Sequence, residues 1–124
     1  ATFMRPGTDG VELHPLVAPA RGEPVLEKTV PNGFVDTGLE EEVRSRGIDA
    51  LVVAGMMSSM CVDATVRAAV DSGFSVTVVH DGCAAPDLRF GDTEVPGAMV
   101  HAAFMAALAD GYAAVVSADE LLAG

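Results

Sequence analysis

Strands alternating with helices predict an α/β domain built on a parallel sheet. Three features carry that reading. ALVVAG and SVTVVHDG are continuous apolar, β-branched runs of strand length. Between them, from Cys61, apolar residues recur at helical spacing. A second helical pattern then leads into a third strand-like run, YAAVV.

The elements follow in order. The chain opens ATFMRPGTDG, without an initiator Met, and residues 5–24 are rich in Pro and Gly, which predicts a long irregular connection. PVLEKTV predicts a short strand over 25–30. Thr37 and Glu40 have the spacing of a capping box, opening a helix that runs through Arg46 and stops at Gly47. ALVVAG predicts a strand buried on both faces. In the next helix Val62, Val66, Ala69 and Val70 form one apolar face, while Asp63, Arg67 and Asp71 line another, with Asp63 placed four residues before Arg67. Gly73 closes it. SVTVVHDG predicts a second buried strand, and CAAPDLRFGDTEV a loop. Pro96 suits a first helical turn; Val100, Ala103, Phe104, Ala107 and Leu108 give that helix its apolar face, and Gly111 its end. After YAAVV, S-A-D-E is a second capping box that opens a short helix.

Composition narrows the function classes. The chain has 124 residues, half apolar and 20% charged, enough for one modest core. Its net charge of −11 repels phosphate, so neither nucleic acid nor an anionic membrane is an expected partner. Two cysteines make no disulfide framework, and a reducing, cytoplasmic setting is expected. The longest apolar runs, near 50–57 and 102–109, are too short to span a bilayer.

Parallel sheets bind ligands beyond the carboxyl ends of their strands. Lys28, the turn GMMSSMC and the pair His80–Asp81 all lie at or near such ends. A thiol at a helix start, such as Cys61, faces free N–H groups and the positive end of the dipole, and both favour thiolate. The bland alternative is a small buried apolar residue. Lys28 is the only lysine beside six arginines. It could polarise a carbonyl or hold a thiolate, since lysine offers a compact, titratable charge that arginine does not; taken alone, it reads as a solvent-facing side chain. His14, His80 and His101 invite a Cys–His hydrolase reading, but none shows metal-ligand spacing, and each is expected to be structural. Cys83 has no helix start after it and is expected to be structural too. No metal or cofactor is expected, and RPGTDG matches no phosphate-binding pattern.

The runs K-T-V-P-N-G-F, L-V-V-A-G-M-M-S-S-M-C-V-D-A-T, A-A-V-D-S-G-F and V-T-V-V-H-D-G-C-A together resemble the isochorismatase-like cysteine hydrolases. The lead-in P-G-T-D-G-V-E-L-H-P is similar to that family's corresponding segment. The resemblance covers nearly the whole chain. It implies a three-layer, Rossmann-like α/β/α fold with a parallel sheet, and an Asp–Lys–Cys triad in which Cys61 is the nucleophile and Lys28 the lysine. It also implies a cis peptide at Met56–Met57 and an oxyanion hole made by the N–H groups of Met57 and Cys61. Phe34 is a candidate substrate contact. Nothing in the chain matches the phrase that holds the family's Asp. Residues 1–124 are therefore expected to be a single, partial domain, a fragment lacking the family's first two strands. The Lys28 strand would then lie two places from the strand before Cys61, and must leave a hole or re-pair.

The resemblance implies a hydrolase of C–N bonds in a small amide or ureido substrate, acting through a Cys61 thioester and assembled as a homo-oligomer. These 124 residues alone are expected to be impaired, because the base is missing. The rival reading is a non-catalytic module that works through protein contacts.

Overall fold

The computed structural model describes residues 3–124. Its regular elements are α1 (Leu39–Arg44), β1 (Ala50–Met56), α2 (Asp63–Asp71), β2 (Ser75–Ala84), β3 (Leu88–Phe90), β4 (Thr93–Val95), α3 (Gly97–Gly111), β5 (Ala114–Val116) and α4 (Ala118–Ala123). Strands β1, β2 and β5 form a parallel sheet in the order β1-β2-β5. Parallel strands joined through helices make this the α/β class that the alternating pattern predicts.

The core lies where α2 and α3 meet the sheet: Val62, Val66 and Ala69 pack with Phe74, Val76, Val78, Met105 and Leu108. The α2 face is the one its spacing predicts, and Asp63 pairs with Arg67 at 2.9 Å on the other face. Arg67 also lies 4.6 Å from the Tyr112 ring centre. Gly73 adopts φ +96°, a conformation L side chains rarely take. It ends α2 by letting the Phe74 N–H reach back to the Ala69 carbonyl. On α3 the buried residues are Val100, Met105 and Leu108, while Ala103 and Ala107 are exposed. An alanine-rich helix has little contrast between its faces, so the bulkier Met105 decides which one is buried.

Several expectations need correcting. Residues 25–30 form no strand; they are irregular, bent at 29–30, and have no ladder partner. A β-rich hexapeptide still needs a neighbour to accept its hydrogen bonds, and none lies beside it among the described residues. Strand β1 is not buried on both faces: its residues alternate, with Val52 60% exposed and Leu51 and Val53 turned to the core. The Thr37–Glu40 capping box is absent, because Gly38 in the left-handed region occupies the cap position. Thr37 instead accepts the Leu39 N–H at 3.1 Å and donates to the Gly33 carbonyl at 2.6 Å. The stretch expected as a loop after SVTVVHDG contains the end of β2 and the β3–β4 hairpin, closed by an Arg89–Glu94 pair. The Ser117–Glu120 capping box is formed in full, and hydrogen bonding from Ser117, its backbone N–H foremost, holds the Glu120 carboxyl below its ordinary range.

Candidate active site

The site begins where β1 ends. The peptide bond between Met56 and Met57 is cis. One π-helical turn follows, Ser58–Val62, before α2 continues from Asp63. Cys61 thus sits within a wide turn and not on the first residue of an α-helix; such turns recur at functional sites. The Met57 carbonyl accepts the N–H groups of both Met60 (3.0 Å) and Val62 (3.2 Å), which ties the turn closed around Cys61. Cys61 is half-buried.

Lys28 reaches this turn from the irregular segment 25–30. Its ammonium lies 3.2 Å from Cys61 Sγ and donates to the Val30 carbonyl at 3.1 Å. The hole expected between the Lys28 segment and β1 is thereby bridged by a side chain, without strand pairing. Thr65 holds the segment in place. One turn of helix beyond Cys61, its hydroxyl accepts the Gly33 N–H at 2.9 Å and donates to the Pro31 carbonyl at 3.4 Å. Beside Lys28 an open cleft of about 410 Å³ is lined by Leu26, Leu39, Val43, Arg46 and Ile48.

The other candidates fall elsewhere. Phe34 is half-buried and stacks against Phe74 at 6.0 Å between ring centres, at the edge of the core. His14 accepts the Leu16 N–H in a surface turn. His80 lies in β2 next to Asp81, whose carboxylate accepts the Ala118 N–H at the start of α4. His101, on α3, shares a 2.6 Å hydrogen bond between its Nδ1 and Ser58 Oγ. No histidine among the described residues hydrogen-bonds Cys61, whose partner is Lys28, so a Cys–His pair does not form. Cys83 donates to the Val79 carbonyl, and burial pushes its thiol above the ordinary range. Among the described residues no group of His, Cys, Asp or Glu converges to hold a metal, and no helix is long and apolar enough to cross a membrane.

Sequence reasoning missed Thr65 and the Ser58–His101 pair. A signal for Ser58 existed: it is a hydroxyl in an apolar turn, three residues before the cysteine. Nothing in the sequence pointed from there to a helix 43 positions on.

The isochorismatase domain model matches residues 1–120. The chain belongs to the isochorismatase family. An uncharacterised isochorismatase family protein of Bacillus subtilis, YddQ, is 47% identical over 122 residues, covering 98% of this chain and 68% of that protein. A streptothricin hydrolase of Streptomyces noursei is 43% identical over 111 residues, 85% of this chain and 39% of the relative. The crystal structure of a protein from Oleispira antarctica, described as an isochorismatase hydrolase, superposes with TM-score 0.95 at 51% identity; it is covered to 66%, and this chain in full. Lower identities, 37% and 34%, link the chain to a maleamate amidohydrolase of Pseudomonas putida and an N-carbamoylsarcosine amidase of Arthrobacter. The chain thus spans about two thirds or less of these relatives' lengths.

Proposed function

We propose that this chain is the thiol-bearing part of a hydrolase that cleaves a C–N bond in a small amide or ureido substrate. The observation that carries the reading is the 3.2 Å contact between Lys28 and Cys61, which stand 33 positions apart in sequence. An ammonium at that distance can stabilise negative charge on the sulfur once a base has taken its proton. Relatives named as an amidohydrolase and an amidase support the C–N bond as target. In the reaction a carboxylate base takes the Cys61 proton and the sulfur attacks the carbonyl carbon. The Met57 and Cys61 N–H groups receive the oxyanion, the C–N bond breaks as the amine leaves with a proton, and water hydrolyses the thioester. An oxyanion donor of this kind is worth about 10²–10³ in kcat. No carboxylate among the described residues hydrogen-bonds Cys61 or Lys28, so these 124 residues alone should turn over amides poorly. The proposed whole is a cytoplasmic homo-oligomer that uses no cofactor.

Acyl transfer to the thiol tests the reading without requiring the natural substrate. With p-nitrophenyl acetate, intact-mass spectra should show one acetyl group on Cys61. Cys61→Ala should abolish it and Lys28→Met should slow it about tenfold or more, as expected for loss of a thiolate-stabilising charge. An acetylation rate untouched by either change would remove the pair from the chemistry and favour the non-catalytic reading.

A further inference from the structure

Ser58 is the one polar side chain that is fully buried among the described residues, at 0% exposure. A buried hydroxyl without a partner is costly, so its single side-chain partner matters. That partner is His101 Nδ1 at 2.6 Å, on α3, a separate element 43 positions along the chain. Ser58 is also the first residue of the π-helical turn, and Cys61 follows three positions later. The Met57 carbonyl binds both the Met60 and Val62 N–H groups, so a shift at Ser58 passes into the position of Cys61 with little slack. Burial alone could satisfy the hydroxyl with any nearby carbonyl. Here the turn is anchored sideways to a 15-residue helix packed on the sheet, opposite in sequence to the Lys28 segment.

We infer that His101 is a positioning residue: through Ser58 it holds the turn in the place where Cys61 meets Lys28. It hydrogen-bonds neither the Cys61 sulfur nor the Lys28 ammonium. The bond survives either neutral tautomer, since Ser58 donates when the ring proton is on Nε2 and accepts when it is on Nδ1. The importance of the position rests on the proposed thiol chemistry, but the positioning itself has an independent readout.

The test is iodoacetamide alkylation of the full chain near neutral pH, with Cys61 and Cys83 resolved by peptide mass spectrometry. In Ser58→Ala and His101→Ala, Cys61 should react about tenfold more slowly, because its contact with the Lys28 ammonium is lost, while Cys83 keeps its rate. The double variant should match the single ones, because both remove one interaction. His101→Asn, whose amide sits where Nδ1 does, should restore most of the rate. An unchanged Cys61 rate overturns the inference. So does a joint rise at Cys61 and Cys83 that Asn fails to reverse, since that marks general loosening of the fold. Failure of p-nitrophenyl acetate to label Cys61 in the unaltered chain, with the alkylation pattern as expected, sinks the proposed hydrolysis and leaves the positioning role standing.

Discussion

Thr65 shows how much one hydroxyl can organise. Its methyl and hydroxyl sit on α2, yet its hydrogen bonds go to Pro31 and Gly33 in the segment that delivers Lys28. Threonine is therefore not exchangeable with valine there, despite equal size. Thr65→Val leaves the Gly33 N–H without its acceptor in a half-buried place. It should destabilise the chain by about 1–2 kcal/mol, read as a lower urea midpoint at constant slope. It should also slow Cys61 acylation, because Lys28 loses its anchor. An unshifted midpoint and an unchanged acylation rate would show that the segment is held by something else. From sequence, Cys61 and Lys28 were legible as candidates because each is chemically unusual: a thiol at a strand-to-helix junction, and a single lysine among arginines. Thr65 and the pairing of His101 with Ser58 were not, because their significance lies in partners about thirty and forty positions away.

At the scale of elements, legibility followed contrast. Helix α2 was readable because four apolar and three charged residues alternate at helical spacing over two turns. The hairpin β3–β4 was not, because Leu88, Phe90 and Thr93 lie among turn residues and every residue of β3 is exposed. The start of α3 depends on a contact that no local rule predicts. The Asp87 carboxylate accepts the Gly97 N–H at 2.6 Å, satisfying a helix donor from ten residues upstream. The backbone passes so close that a Cβ on Gly97 would lie 2.5 Å from the Ala85 carbonyl oxygen and 3.2 Å from the Pro86 carbonyl carbon. Neither atom belongs to a flexible side chain, so the loop or the helix must shift. Gly97→Ala should therefore cost about 1–3 kcal/mol, the range for overpacking, although alanine is the better helix former. Asp87→Ala should cost about 1 kcal/mol, as for a lost helix cap. Thermal melts of the two variants check this; a Gly97→Ala protein as stable as the parent would mean that the close approach is easily relieved.

The whole molecule combines two opposed tendencies. Strand β1 pairs only with β2 among the described residues, and along it Val52 and Met56 are 60% and 70% exposed. An open strand edge beside uncovered apolar side chains is a template for association. The alternation within β1 explains why its buried character was overread from sequence: a run of apolar residues states that burial is available, but not which neighbours supply it. Against association stands a net charge of −11, which keeps copies apart over about 10 Å at 0.1 M salt. The chain should therefore self-associate, and more strongly as salt screens that repulsion. Size-exclusion chromatography with light scattering, from 50 mM to 500 mM NaCl, should show a mass above that of one chain that rises with salt. Val52→Lys places a charge on the exposed side of β1, nine positions before Cys61, and should return the protein to a single-chain mass at all salts. A parent chain that stays monomeric throughout the range would show that the β1 surface is tolerated in water. An association that Val52→Lys leaves intact would place the contact elsewhere, such as on the alanine-rich α3, where Ala102, Ala103, Ala106 and Ala107 are also exposed.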